Sequence, residues 1–303
     1  MARICGEDAC DLLRRAGFDV GFVLGSGMEG VVVSLDPGQV AKVWFERPED
    51  EVSRLKAFYD AVVRGSRLRV AEIEQVRSVA GHTVSVERFV AGRHLSEQPS
   101  GSLRTVTRAT LEGLGDALDA LAQVQPDPAL FSLPILPGEP PFDSGAAFAE
   151  SLAHLLERRV QRIADTLDAA LGGTLSSTLA QVQDELSTVR PRREGLVHGD
   201  LIPDNVLVDD DEAPGVIDFG FLSTYGDVDF DVALAPAIYD MYGPTAAENT
   251  QLLTQALADR FGTKESTIAT YRKAYALATA GCFGSGPEDG HFAWCARQLT
   301  ALA

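Results

Sequence analysis

Three oxygen-bearing side chains stand at a spacing suited to one kind of chemistry. The stretch Leu196-Val-His-Gly-Asp-Leu-Ile-Pro-Asp-Asn-Val-Leu-Val208 carries Asp200 and Asn205, and Gly215-Val-Ile-Asp-Phe-Gly220 carries Asp218. A carboxylate beside a hydroxyl orients it and accepts its proton late in a displacement, which is the role expected of Asp200 as catalytic base. Asp218 and Asn205 supply hard oxygen donors of the kind that hold Mg²⁺ across the terminal phosphates of a nucleotide. Between them, Val206–Val208 and Val216–Ile217 read as two short strands joined by the acidic turn Asp209–Gly215. Such a hairpin brings Asn205 and Asp218 together although they are 13 positions apart. The acids at 209–212 read as a solvated turn and not as metal ligands. The chemistry expected is transfer of the γ-phosphoryl group of ATP or GTP to a hydroxyl.

A phosphate cradle and a cation must face these groups, and the N-terminal third supplies both. A short helix over Ala9–Ala16 ends at Gly17, and Val20–Leu35 reads as a strand, a glycine turn and a second strand. Asp36-Pro-Gly-Gln39 is a turn, so Val40–Phe45 should pair back as a third strand, with two more at Ile73–Val79 and His82–Phe89. The glycines of Gly25-x-Gly27-x-x-Gly30-x-Val32 are followed by Val31-Val-Val33, which is strand and not the helix a dinucleotide fingerprint needs. Gly25, Ser26, Gly27, Gly30 and Val32 therefore read as a flap whose backbone N–H groups approach anionic oxygens. Lys42 is a lone cation in an apolar strand, costly to bury unless paired, so nucleotide phosphates and a helix carboxylate are its expected partners. In the helix expected over Arg47–Val62, Glu51 shares a face with Leu55, Phe58 and Val62, which selects it as that carboxylate, with Glu49 next. The competing reading is that Glu49, Asp50 and Glu51 only complement the helix dipole.

Taken together, His-Gly-Asp-(four residues)-Asn, the hairpin and Ile-Asp-Phe-Gly resemble the loops of the aminoglycoside phosphotransferase and choline kinase family, with Gly199 where protein kinases carry Arg. The resemblance implies an α+β, bilobal protein-kinase-like fold. Residues 1–90 would form a β-rich, nucleotide-binding N-lobe with one main helix, and residues 91–303 a larger, mainly helical C-lobe with the catalytic loop and acceptor site. It implies a hinge near 86–93, with Glu87, Phe89 and Val90 lining the base pocket. It makes His198 a structural hydrogen-bonding residue and Asp231 a brace for the catalytic loop. Asp204, Asp227, Glu288 and Asp289 stand as candidate acceptor contacts.

The rest of the chain is read more coarsely. Leu103–Val124 has helical spacing; Pro126–Pro141, with six prolines, reads as an irregular surface insert; residues 145–190 read as two helices broken at Gly172-Gly173. Helices near Pro244–Phe261, Lys264–Cys282 and His291–Leu302 should build the acceptor site. The chain turns into helix soon after Asp218, leaving no room for an activation segment.

Composition narrows the partners. A net charge of −18 either keeps the surface soluble or steers a polycationic acceptor into an acidic cleft, and it opposes nucleic acid. Cysteines at 5, 10, 282 and 295 form no Cys-x-x-Cys pair, and the histidines share no ligand spacing, so reduced thiols and a cytoplasmic location are expected, with no zinc site. No apolar run suggests a membrane helix and no leader is visible. The expected cofactors are Mg²⁺ and ATP or GTP, and the expected partner is a small hydroxylated molecule, cationic on the steering reading, met by a monomer or homodimer. The leading function is phosphorylation of an antibiotic, of aminoglycoside type. The alternatives are a metabolic kinase for choline, homoserine or a sugar, and a nucleotide-binding pseudokinase. With 7% aromatic residues, no cage for a choline headgroup stands out in the sequence.

Overall fold

Val-rich segments broken by glycine turns pair into one antiparallel sheet near the N-terminus. The structure is a computed structural model that describes residues 4–35, 38–97, 104–209 and 212–301. Parts of the turns at 36–39 and 209–215, with the ends of the helices expected from 103 and to 302, lie outside the described residues. Helix α1 (Gly6–Arg15) stops at Gly17, whose φ of +86° suits glycine. Then come β1 (Val23–Ser26), β2 (Gly30–Ser34), β3 (Gln39–Trp44), helix α2 (Glu49–Gly65), β4 (Ile73–Val79) and β5 (His82–Arg88). The sheet order is β1-β2-β3-β5-β4, each neighbour antiparallel. Lys42 sits opposite Val32 on one side and Ser85 on the other. Because side chains alternate along a strand, Val31, Val33, Ala41, Val43 and Val84 pack with Ala9 and Leu13 of α1, while Lys42, Trp44, Ser85 and Glu87 fall on the opposite face.

The remaining elements are β6 (Arg93–His94), α3 (Arg108–Leu121), α4 (Phe148–Gln161), α5 (Ala164–Ala170), α6 (Leu175–Thr188), β7 (Glu194–Val197), β8 (Val206–Val208), β9 (Gly215–Val216), β10 (Thr224–Asp227), α7 (Asp229–Ile238), α8 (Ala246–Phe261), α9 (Glu265–Thr279) and α10 (Gly290–Ala301). Two small antiparallel sheets, β6-β8-β9 and β7-β10, hold the loops between them. The fold is thus the α+β arrangement expected, a sheet-based N-lobe on a helical C-lobe. No helix among the described residues is long and apolar enough to cross a membrane.

Two expectations need correction. Residues 145–190 hold three helices, because the chain breaks at Arg162-Ile163 as well as at the glycine pair. The proline-rich insert is not surface decoration. Leu130, Leu133, Ile135 and Leu136 are at most 5% exposed, and the Leu222 N–H donates to the Ile135 carbonyl at 2.8 Å. Buried Glu139 takes ion pairs from Arg158 (2.8 Å) and Arg162 (2.7 Å). Prolines forbid regular hydrogen bonding but not burial, so the leucines between them still join the core.

Candidate active site

The loop bearing Asp200 is held from below by α7. Asp231, in the first turn of that helix, accepts the His198 N–H at 2.6 Å through Oδ2 and the Gly199 N–H at 2.9 Å through Oδ1. Burial raises the Asp231 carboxyl to about 7 even against these two donors. His198 is fully buried, and its ring accepts the Asp200 N–H on Nδ1 (3.2 Å), which leaves Nε2–H to donate to the Ile217 carbonyl (2.9 Å). Burial lowers its pKa to about 4, so the neutral ring this pattern requires is the one present. Gly199 has φ +81°, and a Cβ there would lie 2.5 Å from both the Phe221 carbonyl oxygen and Leu222 Cβ. No side chain fits at that position, where protein kinases carry arginine. The Ser223 hydroxyl links this loop to the next by donating to the His198 carbonyl (2.7 Å) and accepting the Gly220 N–H (2.9 Å).

The expected hairpin forms, with Val206 opposite Val216. Asn205 closes its base: its Nδ2 donates to the Asp200 carbonyl at 2.9 Å, and its own carbonyl accepts the Ile217 N–H at 3.0 Å. Asp218 leaves the hairpin at φ +66°, a left-handed conformation that a non-glycine residue holds only under constraint. Part of that constraint is Phe219, whose ring is wedged between Phe58 and Tyr59 of α2 at 5.6 and 5.7 Å. Helix α2 therefore serves the site mainly as the seat of this loop. Lys42 Nζ lies 3.2 Å from Asp218 and holds its carboxyl below the ordinary range. Asp200 is pushed the other way, to about 6, first by burial and then by the Asp218 charge. Asp218 offers a carboxylate and Asn205 an amide carbonyl, hard oxygen donors of the kind Mg²⁺ takes, and a divalent cation beside them would relieve the repulsion between the Asp218 and Asp200 carboxylates, so these residues fit Mg²⁺. Asp200 and Asp218 line the open cleft, whereas Asn205 is buried beneath it.

Lys42 does not pair with Glu51. Its ammonium group meets Asp218 and, at 3.4 Å, Glu29 of the glycine turn, and it stands 3.9 Å over the Trp44 ring. Glu51 stays half-buried in the first turn of α2, where it complements the helix dipole as the competing reading held. Glu29 also takes Arg47 at 2.7 Å, so two cations and a carboxylate from the glycine turn share the space in front of Asp218. Neither Glu29 nor Arg47 carried a motif signal. Gly30 is required because a Cβ would strike the Val43 carbonyl of β3, but Gly25 and Gly27 have ordinary φ and open space, with no atom within 4 Å of where a Cβ would stand. Their lack of side chains keeps open the cleft they line.

Behind the turn lies a second cavity of about 390 Å³, lined by Val32, Leu55, Phe89, Val90, Leu207 and Phe219 among others, with Glu87 and Lys42 among its charged members. Glu87 is 7% exposed, accepts the Ser85 hydroxyl at 2.5 Å, and has its pKa raised by burial; Ser85 in turn accepts the Trp44 indole N–H at 2.8 Å. The front cleft measures about 1020 Å³ and runs from the glycine turn past Asp200 to Tyr239–Gly243, Phe283 and His291. Of the four candidate acceptor contacts only Asp204 lines it, facing Arg104 at 3.7 Å. Asp227 is buried, bonded to the Tyr271 hydroxyl (2.6 Å) and the Asp229 N–H, and ties β10 to α9. Asp289 accepts the Phe292 N–H at the start of α10, and neither it nor the exposed Glu288 reaches either cavity.

A strand lysine, a glycine turn and two carboxylate-bearing loops converging on one cleft between a sheet and a helical lobe are the marks of a kinase-type transferase enzyme. The chain belongs to the phosphotransferase enzyme family (APH), whose sequence profile matches residues 14–272. Its fold is similar to that of aminoglycoside 2'-phosphotransferase-IIIa in its GDP complex, with a TM-score of 0.63 at 16% identity over 97% of this chain and 95% of that one. Macrolide 2'-phosphotransferase MphH from Brachybacterium faecium gives a TM-score of 0.61 at 17% identity, over 96% and 97% of the two chains. The ADP and streptomycin complex of aminoglycoside phosphotransferase APH(3'')-Id from Streptomyces rimosus gives 0.52 at 21% identity, over 88% and 96%. In sequence, 71 residues are 42% identical to homoserine kinase of Methylocella silvestris, 23% of this chain, which spans about a fifth (21%) of that curated relative.

Proposed function

We propose that this enzyme moves the γ-phosphoryl group of ATP or GTP to a hydroxyl of a small polyhydroxylated molecule of antibiotic size. Asp200 is the base, and Asn205 and Asp218 are the residues that hold Mg²⁺. Residues 1–90 supply the nucleotide side and residues 91–303 the acceptor side. The observation that carries this reading is the convergence of Asp200 and Asp218 on one cleft wall, opposite Lys42 and the open glycine turn.

The acceptor oxygen bonds to the γ-phosphorus as the bond from that phosphorus to the bridging oxygen breaks, and the nucleoside diphosphate leaves with the bonding pair. The hydroxyl proton passes to Asp200. With a pKa of about 6, Asp200 is ionised at neutral pH yet more basic than an ordinary carboxylate, as a proton acceptor should be. Lys42 exchanges Glu29 for phosphate oxygens, and the side-chain-free glycine turn lets backbone N–H groups approach the same oxygens. Mg²⁺, when bound, neutralises charge on the phosphates.

Structural neighbours that act on aminoglycosides and macrolides support an antibiotic acceptor, the aminoglycoside type being the one that net charge alone favours. The homoserine kinase match supports a second reading, a metabolic small-alcohol kinase. The size of the front cleft favours the larger acceptor. The test is incubation with Mg-ATP and, separately, Mg-GTP against kanamycin, streptomycin, a macrolide and homoserine, followed by mass spectrometry. Gain of one phosphoryl group on an antibiotic is expected. Gain on homoserine alone favours the second reading, and no gain on any hydroxyl overturns the proposal.

A further inference from the structure

Glu87 is a buried carboxylate that the reaction written above leaves without a task. It lies on β5 two residues beyond Ser85, and Ser85 stands directly opposite Lys42 on β3. Lys42 and Glu87 are therefore diagonal neighbours on one face of the sheet, about 7–8 Å apart at the backbone, a gap that two long side chains close. Both line the cavity behind the glycine turn, whose only carboxylates among the described residues are Glu87 and Asp218.

The sheet alone fixes this carboxylate. It accepts the Ser85 hydroxyl, and Ser85 accepts the indole N–H of Trp44, the ring that Lys42 Nζ overlies at 3.9 Å. Burial raises the Glu87 carboxyl, and the Lys42 charge opposes that rise more than any other group does. The two carboxylates in direct contact with Lys42 are both needed elsewhere during transfer: Asp218 for Mg²⁺, and Glu29 as the group that gives way to phosphate. Helix α2 offers no replacement. Its members on this cavity are Leu55 and Tyr59, and Glu51 does not reach it.

We infer that Glu87 is the positioning residue for Lys42, a standing counter-charge on the neighbouring strand that holds the ammonium group toward the nucleotide phosphates in place of a helix carboxylate. This rests on the phosphotransferase reading above. In protein kinases the lysine's ion pair comes from a helix whose placement switches the enzyme. Here lysine and carboxylate belong to adjacent strands of one sheet, so the lysine reaches its working position without movement of α2, which stays the seat of the Phe219 loop.

The experiment is a double-mutant cycle on kcat, with an acceptor that gains phosphate in the panel above, using Lys42→Met, Glu87→Gln and the two together. Glutamine matches glutamate in size and can keep the Ser85 bond, so the fold is retained while the charge is lost. In Glu87→Gln, kcat should fall by at least about 10-fold with Mg-ATP and Mg-GTP alike, the scale of a reacting group displaced by a fraction of an ångström. Glu87→Asp, which keeps the charge, should recover part of that loss. In the Lys42→Met background, Glu87→Gln should change kcat by less than about twofold, because a residue that acts through Lys42 has nothing left to position. A full additional loss in the double variant would make Glu87 structural, and a changed ratio of kcat/KM between Mg-ATP and Mg-GTP in Glu87→Gln would make it a reader of the base. Either result, or an unchanged kcat in Glu87→Gln, overturns the inference while the phosphotransferase reading stands. No transfer by the wild type to any acceptor overturns both.

Discussion

Gly199→Ala places a methyl group where the structure has no room for one, and the consequence can be worked out in two parts. The first is conformational: at φ +81° an L-residue costs about 1–2 kcal/mol relative to glycine. The second is steric, because the new Cβ would sit 2.5 Å from the Phe221 carbonyl and Leu222 Cβ, and overpacking of this kind costs about 1–3 kcal/mol. The sum is roughly 2–5 kcal/mol. With unfolding entropy scaling with chain length, that lowers Tm by about 3–8 °C for a chain of this size. Gly172→Ala is the control, since Gly172 also has positive φ (+64°) but nothing within 4 Å of a Cβ, so it carries the first part alone. Relief of the clash must move either the His198–Gly199 N–H groups off Asp231 or the Phe221–Leu222 segment away from Asp218. Turnover in Gly199→Ala should therefore fall by at least about 10-fold, beyond its Tm effect, and should not fall in Gly172→Ala. Thermal melts with steady-state kinetics decide it. Equal Tm shifts in the two variants, with turnover intact in both, would refute the packing argument.

Other consequences follow from the charges in the site. The Asp200 pKa of about 6 predicts that kcat/KM loses half its value near pH 6 as the base is protonated; a limb near pH 4 would mean an unperturbed carboxylate. His198 has a folded pKa of about 4 against 6.5, so its neutral form contributes stability that is complete above pH 6.5 and lost as pH falls toward 4. That amounts to about 3 kcal/mol, of which about 2 is gone by pH 5. Because Asp200 and Asp231, whose folded pKa values are raised, gain stability over the same range, the His198 effect is read as a difference: in urea denaturation at pH 7.5 and 5.0, the wild type should lose about 2 kcal/mol relative to His198→Gln. Glu29→Ala removes the carboxylate that competes for Lys42 and Arg47, and should tighten Mg-nucleotide binding by about 2- to 5-fold in calorimetry. Weaker binding would show that Glu29 assists the nucleotide.

What could be read before folding was what local spacing determines. Val206–Val208 and Val216 bracket a short turn, so the hairpin that gathers Asn205 and Asp218 follows from a few adjacent residues. The strands around Lys42 were legible for the same reason, as alternating Val segments between glycine turns. The partner of Lys42 was not. Choosing Glu29 over Glu51 depends on how the glycine turn folds over β3, and helix-face geometry is silent about that. The insert at 126–141 misled because prolines advertise irregularity, while its leucines carry the burial. The aromatic lining of the front cleft left no local signal, since Phe221, Tyr242 and Phe283 come from three separate segments that the folded chain brings to one cleft.

Asp200 is the residue on which the proposed chemistry depends most directly. In Asp200→Ala, phosphoryl transfer followed by mass spectrometry should fall by about 10²- to 10⁴-fold, while the Kd for Mg-ATP or Mg-GTP stays within about threefold of wild type. Loss of binding in step with turnover, or turnover that persists, would contradict the assignment of Asp200 as the proton acceptor.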